Sequence, residues 1–477
     1  MKSLDSNISK KKWIILFVVV LMSFMSCIDS SIVNIALPVI AKKLSINMAT
    51  VELVVVSYIM TICSVILVFG RLGDVKGKTK VFQLGTIIFT IASFLCGTSN
   101  TCTSLISFRI LQGIGAGAYM ANNQGIITEV FAKNDRGKAL GILGSAVALG
   151  TMIGPALGGF ILSILNWQCI FFINVPIGIV SFALGLKVLP KVASNNETID
   201  IKGAVLFFIA IISLFSSLIG AQTLGYSNPL IIVSFIVALI SFIIFIKLEH
   251  KALVPLLDLE IFKNNIFSIS LFCAFVSFVC ISASGIIIPF YLENTLKIDS
   301  SKAGLIMMIS PLIITVVSPF SGSLSDKIGA KFLTFLGLIF TSIGFLLMSF
   351  LDISSPIIYM ILFLGIMAIG NGLFQPSNNS LIMSAAPRNK LGIAGSVNSL
   401  VRNLGQIFGV TLATTVLYNF MSYKIGYRVI NYIENRDDVF IFGMKYVYIM
   451  LAIICGIGAI ITAFRLYSNK LNLINEQ

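Results

Sequence analysis

The sequence predicts an all-α integral membrane protein that crosses the bilayer fourteen times. Two observations support this fold class. First, 57% of the 477 residues are hydrophobic and only 11% are charged, which is too apolar for a soluble protein of several domains. Second, the charges fall in short gaps between apolar runs, and each run has about the 20 residues that a membrane-spanning helix requires.

The predicted spans follow one another with little chain between them. They cover residues 13–37, 51–70, 80–98, 103–127, 139–163, 170–189, 203–221, 229–248, 266–291, 303–323, 332–351, 355–383, 392–418 and 445–466. Most of the 33 Lys and Arg residues lie in the gaps on one side. The positive-inside rule places that side, with both termini, in the cytoplasm. The net charge of +14 is therefore interpreted as a topological signal, with attraction to anionic lipid as a secondary effect, and not as a nucleic-acid-binding surface.

The first span contains a carboxylate, Asp29, well inside its apolar run in the stretch CIDSSIVNIALP. An ionised carboxylate at this depth costs about 2.5–3.5 kcal/mol on insertion scales, so such residues usually face a cavity or a partner. A carboxyl group there can carry a proton, which makes Asp29 the candidate for proton coupling. The alternative is a carboxylate locked to an arginine. Glu52, near the outer start of the second span, is either a second proton site or a solvated helix-end carboxylate.

An arginine, Arg109, is buried in the fourth span, in the stretch FRILQGIGAGAYMANNQG. A buried guanidinium stays protonated, so it can hold a nearby carboxylate ionised until another group displaces that carboxylate. The alternative role for Arg109 is a purely structural hydrogen-bond anchor.

The loop between the second and third spans, GRLGDVKGKTK, contains an apparent phosphate-binding motif. Gly73, Gly77, Lys78 and Thr79 spell GxxxGKT, one residue short of GxxxxGK[ST], and no strand precedes them. We therefore reject ATP binding at this loop.

The fifth span is rich in glycine, with the stretch GILGSAVALGTMIGPALGG from Gly141 to Gly159. Gly150, Gly154 and Gly158 recur every four residues and so share one helix face, beside which Pro155 is expected to bend the helix. Small residues let membrane helices approach closely, so this face predicts a tight helix contact. Taken alone, the stretch would favour a generic small-residue interface over a family-specific motif.

An internal repeat organises the chain into two halves. Gly70, Leu72, Asp74 and Gly77 recur 252 residues later as Gly322, Leu324, Asp326 and Gly329. Gly141, Gly144, Ser145, Gly154 and Gly158 recur 251 residues later as Gly392, Gly395, Ser396, Gly405 and Gly409. Two six-helix halves separated by two inserted helices explain the separation of eight spans. The predicted domains are residues 1–190, the insertion and linker at 191–264, and residues 265–477. The inserted spans carry no motif and no buried charge and are predicted to face lipid.

These motifs resemble those of the major facilitator superfamily, and the whole chain resembles its fourteen-helix drug:proton antiporter family. The loop signature GxLxDxxGK falls on Gly70, Asp74, Gly77 and Lys78 and is echoed at Gly322 and Asp326; the helix signature GxxxGPxxGG falls on Gly150, Gly154, Pro155, Gly158 and Gly159; a further similar stretch falls on Asp29, Asn34, Ala36, Leu37 and Pro38. The resemblance implies the major facilitator fold and proton-driven export of amphipathic, often cationic compounds. It also implies a proton relay through Arg109 and a conformational latch at the two loops. Gln168 and Cys169 depart from the family pattern at the outer gate.

The expected substrate is a small drug-like molecule, exchanged for protons. Its cavity is predicted to be lined by Phe24, Met25, Asn34, Tyr58, Gln112 and Met120, since aromatic and methionine side chains suit broad specificity and cations. No cofactor, metal or nucleic acid is implied; the protein is expected to be a monomer in the cytoplasmic membrane, with a periplasmic adaptor left open. The alternatives are a narrow exporter of a tetracycline-like drug or an endogenous metabolite, and a proton-linked importer. An enzyme is rejected, because one histidine and no catalytic polar cluster are present.

Overall fold

The protein is helical throughout most of the described chain. The computed structural model describes residues 6–46, 48–190, 200–225, 227–252, 255–298, 300–387, 390–429, 432–433 and 436–475. The helices are α1 Ser6–Leu44, α2 Met48–Lys76, α3 Lys78–Gly97, α4 Cys102–Val130, α5 Lys133–Ile164, α6 Cys169–Phe172, α7 Asn174–Val188, α8 Ile201–Leu224, α9 Pro229–Glu249, α10 Asn265–Pro289, α11 Ser300–Met307, α12 Ile309–Ile328, α13 Ala330–Met348, α14 Ile357–Ala385, α15 Leu391–Ile425 and α16 Asp437–Asn475. A 3₁₀ turn, Leu259–Lys263, precedes α10, and a π-helical turn, Phe290–Thr295, follows it.

Thirteen helical segments of the described chain are long and apolar enough to cross a bilayer. Helix α4 is not among them, although it is 29 residues long. It carries Arg109 and three consecutive amide side chains, Asn122, Asn123 and Gln124, all of them buried. These groups lower the hydropathy of α4, so its crossing of the membrane stays a prediction.

Two of the predicted spans are broken helices, and a proline explains each break. The sixth span is divided at Ile173 into α6 and α7, because Pro176 has no N–H for the carbonyl of residue 172. The tenth is divided at Met308 into α11 and α12, because Pro311 has no N–H for the carbonyl of residue 307. The first break matters for the site, since α7 begins there with Asn174.

The internal repeat is visible in the backbone at two glycines. Gly77 immediately precedes α3 with φ 100° and ψ 123°, and Gly329 immediately precedes α13 with φ 95° and ψ 132°. These are left-handed φ values that residues with a Cβ rarely adopt, so both turns require glycine. Gly77 and Gly329 are the positions that the sequence repeat matches.

By contacts the chain divides into two compact units. The first comprises Met1–Ala132, Ala146–Asn264 and Met383–Leu400; the second comprises Lys133–Ser145, Asn265–Ile382 and Val401–Gln477. The first twelve or so residues of α5 and the first ten of α15 are therefore assigned to a different unit from the rest of their own helices. The division of the chain at 190 and 264 remains a prediction.

In the first unit, α4 packs between α2 and α3, and α7 packs against both α1 and α3. An apolar cluster joins α1, α2 and the α6 region, with Met25, Ile32, Val54, Trp167 and Phe171 almost fully buried. The ring centroid of Phe171 in this cluster lies 5.7 Å from the guanidinium carbon of Arg109. The cluster therefore borders the polar residues of α1 and α4 that are described below.

In the second unit, α16 packs against α13 and α10. Its core contains Phe345, Met360 and Tyr448, and the hydroxyl group of Tyr448 lies 3.4 Å from that of Ser284. This apolar cluster therefore also contains a hydroxyl pair.

The inserted helices α8 and α9 pack against each other, and α8 also packs against α2. Many of the large apolar side chains of α9 are exposed, among them Leu230 and Leu239. A buried carboxylate lies one residue beyond the predicted span 229–248, at the last residue of α9. Glu249 is 3% exposed, and its Oε2 accepts a 2.9 Å hydrogen bond from the N–H of Leu257. The linker folds back over the helix end and covers this carboxylate.

Candidate functional site

A buried ion pair joins α1 and α4 in the first unit. Nη1 of Arg109 lies 2.5 Å from Oδ2 of Asp29, and both side chains have 0% exposed surface. Two opposite charges that are fully removed from water stabilise each other only if hydrogen bonds satisfy their remaining atoms. The neighbouring side chains supply most of those bonds.

Two amide side chains complete the surroundings of the Asp29 carboxylate. Nε2 of Gln112 donates to Oδ1 at 3.0 Å, and Nδ2 of Asn174 donates to the same oxygen at 2.7 Å. Gln112 is itself held, because its Oε1 accepts from Arg109 at 2.6 Å and its Nε2 also donates to Oγ of Ser93 at 2.8 Å. The carboxylate is thus contacted by three side chains from two helices, two from α4 and one from α7.

Arg109 is also fixed by contacts away from Asp29. Its Nε donates to the carbonyl of Val54 at 3.1 Å, and its guanidinium carbon lies 4.1 Å from the ring centroid of Tyr58. Nη2 of Arg109 and Oδ1 of Asn174 have no hydrogen-bond partner in the described part of the chain. These two atoms leave the network with one unused donor and one unused acceptor beside the ion pair.

A second polar group lies nearby, on the facing parts of α1, α2 and α4. The hydroxyl groups of Ser26 and Tyr58 are 3.3 Å apart, and Oγ of Ser26 lies 3.6 Å from Sδ of Met120. Asn123 donates to Oγ of Ser23 at 2.6 Å. Tyr58 contacts both polar groups, so it connects the ion pair to this surface.

The residues predicted to line a substrate cavity are found in different surroundings. Tyr58 and Gln112 are buried in the network of Arg109, and Met25 is 1% exposed inside the apolar cluster. Phe24 and Met120 are half-buried, and Asn34 is exposed. The side chain of Glu52, the third predicted proton-coupling residue, lies outside the described residues.

A second ionic cluster lies where α2 meets the start of α15, within the first unit. The carboxylate of Asp74 accepts hydrogen bonds from the N–H of Gly392 at 2.8 Å and of Ile393 at 2.9 Å. These N–H groups belong to the first turn of α15, where the helix dipole favours a negative charge. A methyl group on Gly70 would clash with Ser396 and with the carbonyl of Gly392, so the two helices touch at this glycine.

Lys78 supplies the positive charge of this cluster. Its Nζ lies 2.8 Å from Asp74 and 2.8 Å from Oε1 of Glu129, and the side chains of Lys78 and Asp74 are 6% and 1% exposed. Burial of the lysine raises the cost of leaving it unpaired, and two carboxylates offset that cost. Of the predicted loop residues, Gly70 and Asp74 therefore contact the start of α15, and Lys78 pairs with Asp74.

The repeated segment that begins at Gly322 lies in the second unit, where the end of α12 contacts the start of α5. A methyl group on Gly322 would clash with the carbonyl of Gly137, and one on Gly141 would lie 2.6 Å from the carbonyl of Ser318. Oγ of Ser145 donates to the carbonyl of Thr315 at 2.9 Å. The side chain of Asp326 lies outside the described residues.

The glycine face of α5 contacts α1. A methyl group on Gly150 would lie 2.7 Å from the carbonyl of Phe24, and one on Gly154 or Gly158 would clash with Ser31 or Ile32. Gly159 has nothing within 4 Å. The side chain of Pro155 lies outside the described residues, and α5 continues through that position.

Asn174 and Glu129 were not among the predicted site residues, although both contact them directly. Each left a weak signal in the sequence. Asn174 is a polar residue in an apolar run two positions before a proline, and Glu129 ends a helix that otherwise carries amides. Their partners lie 145 and 51 residues away, so only the packing of the helices identifies the contacts.

Comparison with known proteins places this architecture in a family. The profile of the Major Facilitator Superfamily matches residues 19–410 and 270–473. The riboflavin transporter RibZ of Clostridioides difficile (strain 630) is 36% identical over 457 residues, which cover 95% of this chain and 98% of RibZ. The multidrug transporter protein MdtP of Bacillus subtilis (strain 168) is 30% identical over 421 residues, 87% of this chain and 77% of MdtP.

Solved structures share the fold at low sequence identity. The human organic anion transporter MFSD10 has a TM-score of 0.66 and 13% identity, with 94% of this chain and 99% of MFSD10 covered. The proton:xylose symporter XylE has a TM-score of 0.65 and 14% identity, with 95% of each chain covered. The relatives are transporters and not enzymes, and the apolar helices indicate a multi-pass protein of the cell membrane. On the match of the family profile to most of its length, the chain belongs to the Major Facilitator Superfamily.

Proposed function

We propose that this protein is a proton-driven antiporter that exports amphipathic or cationic compounds by alternating access. The observation that carries the proposal is the buried pair of Asp29 and Arg109, which no water reaches in this state. A carboxylate so held is ionised at little cost, whereas a proton on Asp29 would remove one of the two charges and release the guanidinium. Binding of a proton and of substrate are thereby linked through one group.

The unused atoms beside the pair support this role. Nη2 of Arg109 and Oδ1 of Asn174 have no partner among the described residues, so each can bond a new group when Asp29 becomes neutral. Tyr58 transmits the change, because it lies against Arg109 on one side and Ser26 on the other. Ser26 in turn contacts Met120, which we assign, with Phe24, to the substrate surface.

The Asp74 cluster supplies the conformational part of the proposal. Its bonds to the first turn of α15 hold one arrangement of the helices, and they contain no group that faces the proposed substrate surface. Breaking them releases the other arrangement. A two-state element that proton and substrate bias differently is what coupled transport requires.

We further propose a topology of fourteen membrane helices with both termini in the cytoplasm. The thirteen apolar spans and α4 make up the fourteen, with α8 and α9 as the inserted pair. We also propose that the protein acts as a monomer and that its partners are the substrate, protons and the lipid bilayer.

A second candidate function is narrow transport of riboflavin or a related flavin. The favouring observation is the 36% identity to a riboflavin transporter, which extends over 95% of this chain. The buried network is compatible with this candidate as well, because proton coupling does not depend on the breadth of the substrate range. Direct flux measurements separate the two.

The test is flux into proteoliposomes of known protein orientation under an imposed pH gradient, with ethidium and riboflavin as alternative substrates. Wild type is compared with Asp29→Asn, which keeps the size of the side chain and removes its charge. Glu260→Gln is the matched control, since Glu260 is an exposed carboxylate paired with the exposed Lys263. A pH-sensitive dye inside the vesicles records proton movement in the same experiment.

We expect wild type and Glu260→Gln to accumulate ethidium while dissipating the gradient. Asp29→Asn should still bind ethidium and should lose at least about 90% of the gradient-driven flux, as expected when a required proton carrier is removed. Coupled ethidium flux through Asp29→Asn would show that the ion pair is only structural. Riboflavin flux without ethidium flux would replace the multidrug assignment by the narrow one.

A further inference from the structure

A buried cation that has no counter-ion among the described residues lies at one end of the second unit. Arg465 of α16 is 7% exposed. Its Nη1 donates to Oγ of Ser270 in α10, and its Nη2 donates to Oγ1 of Thr334 in α13, both at 2.8 Å. The only groups that Arg465 contacts through hydrogen bonds are thus neutral hydroxyls, and its Nε has no partner among the described residues.

Among the described side chains, helices α10, α13, α14 and α16 bring no carboxylate to Arg465. Helices α10 and α14 contain no charged residue at all, and the only charged residue of α13 is Lys331. The acidic residues of α16 are Asp437 and Asp438 in its first turn, at the opposite end of the helix. Asn378 of α14 is bound to the backbone carbonyl of Ser270, so it adds no charge either.

A second cation reinforces the imbalance. Lys331 begins α13 one turn before Thr334, and its positive charge is close enough to Arg465 to interact with it unfavourably. Lys331 is half-buried, and its ammonium group has neither an ion pair nor a hydrogen bond in the described part of the chain; its backbone carbonyl accepts from Oγ1 of Thr334 at 2.8 Å. A buried charge that remains uncompensated is strongly destabilising, and a second like charge adds to that cost.

We propose that Arg465 and Lys331 form a binding site for a phosphate-type anion. The planar guanidinium and the flexible ammonium group together supply charge-assisted donors of the kind that phosphate oxygens accept. Arg465 is the second-to-last residue of an apolar span that ends at Leu466, which puts the site at the depth of lipid headgroups. The proposed topology places that end in the cytoplasm, where anionic lipids are abundant.

Two sources of the anion share this chemistry, namely the phosphodiester of an anionic phospholipid and free inorganic phosphate. The proposal does not depend on what the protein transports, because the site lies in the second unit and shares no residue with the Asp29 network. Binding is therefore measured without any transport assay.

The experiment is thermal unfolding of the purified full-length protein in neutral detergent, followed with a thiol-reactive dye that labels the buried cysteines as they become exposed. One arm is titrated with short-chain phosphatidylglycerol and the other with inorganic phosphate, each against sodium chloride at equal ionic strength. Wild type is compared with Arg465→Gln and Lys331→Gln. Lys445→Gln is the control, since Lys445 is an exposed cation near the opposite end of α16.

We expect a saturable rise of the unfolding temperature in wild type and Lys445→Gln, with an apparent Kd about tenfold higher in Arg465→Gln, the factor expected for loss of a hydrogen bond to a charged group. Saturation by phosphatidylglycerol but not by inorganic phosphate identifies a lipid site. Saturation by inorganic phosphate, with or without saturation by phosphatidylglycerol, identifies a site open to solutes. Equal titrations of all four proteins, or no saturable rise in wild type, overturn the proposal. If Arg465→Gln does not fold, the titration of Lys331→Gln tests the proposal. The half-exposed side chain of Lys331 can be replaced without leaving a cavity in the interior.

Discussion

Arg109 reaches Asp29 across 80 residues of sequence to form an ion pair of 2.5 Å with no exposed surface on either side chain. The pair is neutral as a whole, which makes it tolerable at the depth of a bilayer. Each charge depends on the other, so a change on either partner has consequences for both.

Arg109→Lys is expected to reduce proton-coupled flux by at least tenfold, although the charge is retained. The ammonium group of lysine cannot at once contact Asp29, Gln112 and the carbonyl of Val54, as the guanidinium does. Flux and binding of ethidium in proteoliposomes are the measurements. Arg436→Lys, a change in an exposed outer pair, is the control and should leave the flux unchanged; equal flux in both variants would assign Arg109 a packing role only.

Asn174→Leu is expected to lower the stability of the protein by about 1–3 kcal/mol, because Oδ1 of Asp29 loses a 2.7 Å bond inside the membrane. The variant should also reduce proton-coupled ethidium flux, because the carboxylate loses one of the two amide donors that hold it. Thermal unfolding and flux in proteoliposomes measure the two effects. Ser163→Ala, on an exposed side chain of α5, should change neither; undiminished coupled flux in Asn174→Leu would exclude Asn174 from the coupling network.

Two glycines of one motif are expected to differ in how much stability is lost when each is replaced by alanine. Gly150→Ala places a methyl group 2.7 Å from the carbonyl of Phe24 and should cost about 1–3 kcal/mol, because backbone cannot move aside easily. Gly159→Ala meets nothing within 4 Å and should change stability by no more than about 0.5 kcal/mol. The midpoints of thermal unfolding decide between the two. A similar loss in both variants would mean that α1 and α5 do not pack at Gly150 as described.

Asp74→Asn is expected to slow transport about tenfold while leaving the affinity for ethidium unchanged. The substitution keeps an acceptor for the N–H groups of α15 but removes the charge that pairs with Lys78 and with the helix dipole. Turnover is read from flux at saturating substrate and affinity from equilibrium binding. Asp352→Asn, an exposed loop carboxylate, is the control. Weakened binding in Asp74→Asn with normal turnover would contradict a conformational role.

The sequence predicted the helices well because apolar length is a local property. The span 229–248 and the helix Pro229–Glu249 differ by one residue at the end, and the two prolines that divide α6 from α7 and α11 from α12 act on carbonyls four residues away. Helix α4 was harder, since a helix that carries Arg109 and three amides is defined by its partners and not by its hydropathy.

The candidate site was predictable only in part. Asp29 and Arg109 stand out because charges inside apolar runs are costly. That they contact each other, and that Asn174 completes the contact, depends on how α1, α4 and α7 pack. Gln112 shows the limit: its sequence position suggested a cavity surface, whereas its side chain is fully buried between Arg109, Asp29 and Ser93. The periodicity of the sequence predicts which face of a helix a residue occupies, but not which residue packs against that face.

The bonds from Gly392 and Ile393 to Asp74 span 318 and 319 residues of chain. During synthesis, the end of α2 that carries Asp74 therefore emerges from the ribosome long before Gly392 and Ile393 are made. Lys78 and Glu129 emerge early, so the lysine can neutralise Asp74 in the meantime. The first unit is completed only when the start of α15 has been made, and a chain terminated before residue 391 would leave this carboxylate without the helix that receives it.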